Sequence, residues 1–195
     1  MKDTLDSAFW ESHYQQENKP WDLGAVSPAL KQYVDQITDR NLRILIPGAG
    51  SAYEAIYLHR QGFTQVFVCD WAPSAFDYLR REAPDFPEAH LLVADFFKLD
   101  LQVDLILEQT FFCAISPTLR EQYAEKIATL LADGGKLAGL LFAFPFEQEG
   151  PPFGGTRAEY ERLFAPHFEI IHLATSEASI KPRAGRELFI ELQKR

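Results

Sequence analysis

Short apolar runs alternate with amphipathic stretches along most of this chain. Arg43 to Ile46 reads as a first strand, followed by the turn Gly48-Ala49-Gly50-Ser51 and a helix over residues 52–61 that Gly62 stops. A second strand over 65–69 ends at Asp70, and residues 73–82 form the next helix. Residues 90–94 and 103–107 read as the third and fourth strands. Tyr123, Ile127, Leu130 and Leu131 give residues 118–131 a helical face. Asp133-Gly134-Gly135 reads as a tight turn before a fifth strand over 136–144, and the Pro- and Gly-rich segment 145–155 as a loop. A helix over 157–164 and two closing runs, 168–174 and 187–192, complete the pattern as an antiparallel pair. Ahead of the first strand, residues 3–17 predict a helix carrying Phe9, Trp10 and Tyr14, with a loop holding Pro20, Trp21 and Gly24. Ser27-Pro28 then opens a helix reaching Val34. Such alternation predicts an α/β fold, a parallel sheet with helices on both faces.

Length changes this picture only by making it one domain: 195 residues suit a single core over residues 1–195. Charge narrows the partners. Lys and Arg number 19 against 28 Asp and Glu, a net charge of -9. That balance disfavours nucleic-acid backbones and anionic membranes and leaves a small-molecule substrate. Residues 1–20 are polar, with no apolar signal segment, and no apolar run is long enough to span a bilayer. Cys69 and Cys113 lie inside apolar runs, which fits reduced thiols in a cytoplasmic protein. His13, His59, His90, His167 and His172 are scattered, so no metal site is expected. A monomer is the expected state.

The candidate chemistry sits after the first strand. Glycines at 48 and 50 let the backbone approach a ligand, and Asp70 follows Gly50 by 20 residues, the spacing of a carboxylate that accepts ribose hydroxyls. A dinucleotide would want glycine again at position 53, where this chain has Tyr53. The turn therefore favours an adenosine cofactor without a pyrophosphate, S-adenosylmethionine, over a nicotinamide dinucleotide. Asp95, after the third strand, is placed to accept the adenine amine, with Phe96 to cover the ring; as a lone residue it reads rather as a helix cap or turn Asp.

Beyond this point the chain resembles the thiopurine methyltransferase family, and within it the plant-type halide and thiol methyltransferases. The resemblance runs over residues 9–190. It is carried by Phe9-Trp10, Tyr14, Pro20-Trp21-Asp22-x-Gly24, Ile46-Pro47-Gly48-Ala49-Gly50, Asp70 and Asp95-Phe96. It continues through Glu108-Gln109-Thr110-Phe111-Phe112-Cys113-Ala114-Ile115-Ser116-Pro117 and Gly150-Pro151-Pro152-Phe153. The resemblance implies a Rossmann-like methyltransferase fold with a mostly parallel seven-stranded sheet, and residues 1–26 as a lid over the cofactor. It places Trp10, Tyr14 and Trp21 over the methyl donor, whose sulfonium suits aromatic faces. Gly48 and Gly50 would approach its methionine part, Asp70 its ribose, Asp95 and Phe96 its adenine, and Gln109 its amino-acid end. Phe9, Phe112, Phe144 and Phe146 are expected walls of the acceptor pocket.

The chain departs from the family at Glu108-Gln109, often Asp-Tyr or Asp-Arg there, and at Phe144, where plant members carry Tyr. The expected reaction is an in-line attack by a thiol, thiopurine, halide or selenium analogue on the donor methyl, driven by positioning, with no catalytic base assigned. The rival reading is a non-catalytic module that binds the same cofactor as a sensor or partner protein.

Overall fold

Strand β1, Ile44–Pro47, lies inside the sheet, third from one edge, and is buried on both faces. Ile44 and Ile46 point into one apolar core and Leu45 into the other, as the alternation of a strand requires. The computed structural model describes residues 5–146 and 150–195. Parallel partners flank β1: β2, Val66–Asp70, on one side and β4, Val103–Gln109, on the other. Short β3, Leu91–Val93, adds outside β2. Beyond β4 lie β5, Leu131–Phe142, then β7, Glu187–Lys194, then β6, Phe168–Thr175, with β7 antiparallel to both neighbours. The seven-stranded order is β3-β2-β1-β4-β5-β7-β6. This is the expected Rossmann-like sheet with its closing antiparallel pair.

Helices cover both faces. On one lie α2, Pro28–Val34, α3, Tyr53–Arg60, and α4, Asp77–Glu82, over a core that includes Leu30, Ile56, Leu58 and Leu79. On the other lie α5, Arg120–Leu130, and α6, Arg157–Phe164, around Tyr123, Ile127, Tyr160 and Phe164. Thr156 caps α6 through a reciprocal bond with Glu159. Helix α1, Ser7–Gln15, belongs to neither core and buries no residue.

The differences from the expected elements have local causes. Asp6 accepts from the Phe9 amide and starts α1 later than the pattern suggests, and Glu17, in the left-handed region at φ 54°, follows its end. Residues 3 and 4, where that helix was expected to begin, lie outside the described residues, as do residues 147–149 of the expected loop. A 3-10 turn, Pro73–Phe76, precedes α4, so the expected helix over 73–82 is split. Another, Pro117–Leu119, precedes α5. The turn expected at Asp133-Gly134-Gly135 is a bulge inside β5. Val103 pairs with Leu131 and Leu105 with Lys136, and Gly134 at φ 72° lets the surplus residues loop out.

Candidate functional site

Because β1, β2 and β4 run parallel, the segments after all three open at one edge of the sheet, where ligands of such sheets bind. A narrow cleft lies there, lined among others by Trp21, Asp22, Gly48, Gly50, Gln109 and Thr110. The turn after β1 is bonded to the end of β2: the amides of Gly48 and Ala49 donate to the Cys69 carbonyl at 2.8 and 3.3 Å. Gly48 and Gly50 adopt φ of 59° and 56°, conformations that glycine takes without strain. A side chain at Gly48 would also collide with the Phe111 ring. Tyr53, in the position a pyrophosphate turn reserves for glycine, lines the cleft and packs on Tyr78 at 5.2 Å between centroids.

Asp70 closes β2 and is 8% exposed. Its Oδ1 accepts from the Ala72 amide at 2.9 Å and its Oδ2 from the Tyr14 hydroxyl at 3.3 Å. Burial pushes its pKa up to about 6, against hydrogen bonds from the Ala72, Gly50 and Trp71 amides and from Tyr14. Glu108 and Gln109 diverge, as neighbours on a strand must. Glu108 turns into the core, fully buried, and its Oε1 accepts from the Phe111 and Phe112 amides at 2.8 and 2.9 Å. The Tyr123 hydroxyl donates to its Oε2 at 2.6 Å, and burial pushes its pKa up to about 7. It fixes the loop after β4. Gln109 faces the cleft, and its buried Oε1 and Nε2 have no hydrogen-bond partner among the described residues. A buried amide without partners is costly unless a ligand supplies them. Next to it Thr110 holds φ 64°, a strained conformation for a β-branched residue, its hydroxyl bonded to the Gln109 carbonyl at 2.6 Å.

The N-terminal segment lies over this edge. Trp10, Tyr14 and Trp21 are half-buried and outside both cores. Trp21 packs edge-on against Trp10 and Tyr14 at 5.5 and 6.0 Å. The segment is stitched down by polar contacts. Ser7 Oγ donates to the Trp71 carbonyl at 3.1 Å, and the Ser74 amide and hydroxyl donate to Glu11 at 3.2 and 2.5 Å. Ser51 Oγ donates to Asp22 Oδ2 at 2.5 Å, and Lys19 Nζ reaches Ser51 at 3.2 Å. Hydrogen bonds from Ser51 and Gly24 keep the Asp22 carboxyl below its ordinary pKa in spite of its partial burial. The buried Glu54, whose pKa is raised by desolvation, accepts from the Ser27 amide at 2.9 Å where the segment joins the body.

The sequence places Asp22, Ser51 and Thr110 only within motifs and gives Lys19 and Glu54 no signal. Asp22 bonding Ser51 spans 29 positions, which no local spacing reveals. His13 is also more than a scattered residue: its ring lies 4.7 Å from Phe9 and 5.6 Å from Trp21, with Nδ1 2.9 Å from the Asn18 carbonyl.

Two expected residues are placed otherwise. The Phe96 ring is 2% exposed and packs on Phe97, Phe111 and Tyr123, so it cannot lie over an adenine at the surface. Phe112 is 1% exposed among Tyr123, Tyr160 and Phe164, a core residue and not a pocket wall. Phe residues in an apolar run carry no sign of which way they face. Asp95 stands at the cleft's sheet edge and caps the turn Phe96–Lys98 through the Phe97 amide at 3.0 Å. Phe144 and Phe146 cluster with Phe142 at 5.8 and 5.1 Å, whereas Phe9 packs on Trp10 and His13.

Comparison with known proteins matches this architecture. The family model for thiopurine S-methyltransferase matches residues 5–191. A probable thiol methyltransferase 2 of Arabidopsis thaliana is 32% identical over 187 residues, 93% of this chain and 82% of the relative. Thiocyanate methyltransferase 1 of Brassica oleracea is 27% identical, over 96% of this chain and 85% of its own. In fold, the chain is similar to a 1,6-didemethyltoxoflavin-N1-methyltransferase of Burkholderia thailandensis solved with S-adenosylhomocysteine. That likeness has a TM-score of 0.73 at 21% identity, over 96% of this chain and 86% of the other. The chain belongs to the thiopurine S-methyltransferase family and is an S-adenosylmethionine-dependent methyltransferase.

Proposed function

We propose that this methyltransferase acts on a small soft nucleophile, a thiol, thiopurine, halide or selenium analogue, in a single domain whose residues 1–26 form a lid over the donor. The observation that carries the reading is the unpartnered Gln109 amide facing the cleft beside Asp70 and the Gly48–Gly50 turn. An unphosphorylated adenosine donor fits this set: it offers ribose hydroxyls to Asp70 and an amino-acid end to Gln109, while Tyr53 fills the place of a pyrophosphate. In this reading Trp10, Tyr14 and Trp21 cover the sulfonium, and Asp95 accepts the adenine amine at Oδ2, which otherwise faces Lys98 Nζ at 3.6 Å. Bound S-adenosylmethionine supplies an electrophilic methyl group.

The chain's own part is to orient and to dry the site. Trp10 and Trp21 exclude water above the turn, and Gln109 fixes the donor's amino-acid end. Phe9, Phe144 and Phe146 give the acceptor an apolar wall, where a small anion loses hydration. The ionisable thiol nearest the loop, Cys113, is 7% exposed, donates to the Thr110 carbonyl at 3.2 Å and has its pKa raised by burial. It is inert, so rate comes from alignment at reacting distances of about 3–3.5 Å. Two buried free cysteines accord with a cytoplasmic location. Val93 and Ile171, far apart in sequence, are the exposed large hydrophobics among the described residues, which accords with a monomer. No described helix is long and apolar enough to cross a membrane.

The test is incubation with the methyl donor and a panel of thiols, thiopurines and halides, following methylated product and S-adenosylhomocysteine together. Product with none of these acceptors, or with oxygen nucleophiles alone, refutes the assignment.

A further inference from the structure

One arginine joins three elements that are far apart in the chain. Arg183 ends the short 3-10 turn Lys181–Arg183 between β6 and β7. Its side chain is 12% exposed and lies 3.3 Å from Glu187 Oε1 at the start of β7. Its guanidinium sits 5.4 Å from the centroid of Phe142, the last residue of β5. Its Nη2 donates to the Trp21 carbonyl at 3.0 Å, across 162 positions. Glu187 is 3% exposed, and its Oε2 accepts from Ser179 Oγ at 2.6 Å.

The two ends of this contact differ in kind. Glu187 balances the buried charge, as a desolvated cation requires. The bond to Trp21 adds nothing to charge balance. It commits a charge-assisted donor, stronger than a neutral one, to the backbone of the lid. Trp21 is the residue whose indole lies over the nucleotide turn: a Cβ built on Gly50 would stand 3.7 Å from its Nε1. The side chain of Asp22, the next residue, is held by Ser51 on the turn after β1. The Trp21–Asp22 peptide is thus gripped between the turn after β1 and the turn before β7.

We propose that Arg183 is a positioning residue for the methyl donor. It clasps the lid through the Trp21 carbonyl, keeps the indole across the Gly48–Gly50 turn, and ties the lid to the ends of β5 and β7. This rests on the lid reading above. The planar fork of arginine serves two acceptors at once; a lysine ammonium on a flexible stem serves Glu187 or Trp21 but holds neither in a fixed plane.

Two variants test the clasp. Arg183→Lys keeps the charge opposite Glu187. The double variant Arg183→Met, Glu187→Gln removes both charges, so no carboxylate is left buried alone. Affinity for S-adenosylhomocysteine is read by calorimetry, donor KM and kcat by product formation, and amide exchange by mass spectrometry on the ligand-free protein. The clasp predicts affinity lower by about 10-fold or more in the double variant, with partial recovery in Arg183→Lys. Donor KM rises more than kcat falls. Exchange quickens at Trp21 and Asp22 while the amides of β1, β2 and β4 keep their protection. Wild-type affinity and wild-type exchange at Trp21 in variants that fold overturn the proposal. So does a lower thermal midpoint with unchanged KM, which would make Arg183 a purely structural residue. If the wild-type protein itself binds no S-adenosylhomocysteine, the lid reading fails, and the ligand-free exchange still decides the clasp.

Discussion

Two buried carboxylates at the ends of β2 and β4, the strands that flank β1, do opposite work. In the proposed donor site Asp70 accepts the ribose hydroxyls, so Asp70→Asn removes a charged acceptor and should weaken S-adenosylhomocysteine binding by about 2–3 kcal/mol, measured by calorimetry. The fold should not suffer. A carboxyl whose folded pKa is raised stabilises the fold below its unfolded value, and that contribution is lost as pH rises through about 6. The amide therefore removes a charge whose burial is unfavourable at neutral pH. Donor affinity in the unmodified protein should fall as pH drops through the same value, as Asp70 takes up a proton. Glu108 faces the core. Glu108→Ala strands two amides and the Tyr123 hydroxyl and should cost about 3–5 kcal/mol in urea unfolding, whereas Glu108→Gln, which keeps an acceptor, costs much less. With its pKa raised to about 7, its share of stability is complete below pH 4.5 and fades as pH rises through 7; the Gln variant should lose that slope. Cys113→Ala should leave the rate at saturating substrate within a few-fold, because loss of a true general base costs about 100-fold or more.

At the scale of elements, α1 and the loop after it are separable from the cores, whose earliest member is Leu30. A chain beginning at Val26 should keep the circular dichroism of the full protein and lose most of its affinity for S-adenosylhomocysteine; tight binding by the truncated form would mean that the aromatic segment only packs. The strands β1, β2 and β4 and the glycine turn were legible because apolar alternation and glycine placement are local signals. The start of β5 was not, because Asp133-Gly134-Gly135 has the composition of a turn whether the chain reverses there or bulges within a strand. That Phe96 and Phe112 face the core is hidden for a related reason: their surroundings come in part from α5 and α6, later in the chain. Gln109 was identified as a site residue, but that its amide lacks protein partners emerges only in three dimensions.

For the whole molecule, the net charge of -9 sets the field an anionic acceptor meets. On the proposed mechanism, in which positioning alone activates the acceptor, thiol methylation should rise with pH along the thiol's own ionisation, and iodide methylation should stay flat across neutrality. A bell-shaped iodide profile abolished by one His or Asp substitution would show that the protein supplies an acid or base. The sheet order carries a consequence for assembly. Strand β7 lies between β5 and β6 yet follows both in the chain. Until residues 187–194 have emerged from the ribosome, β5 has one hydrogen-bonding edge open and β6 has no partner. A nascent chain halted near Arg186 therefore displays exposed strand edges, a template for association with other chains. The half built from β1, β2, β3 and β4 can form while synthesis continues, but the sheet closes only with its penultimate strand, and premature termination there should yield aggregates in place of a smaller soluble domain.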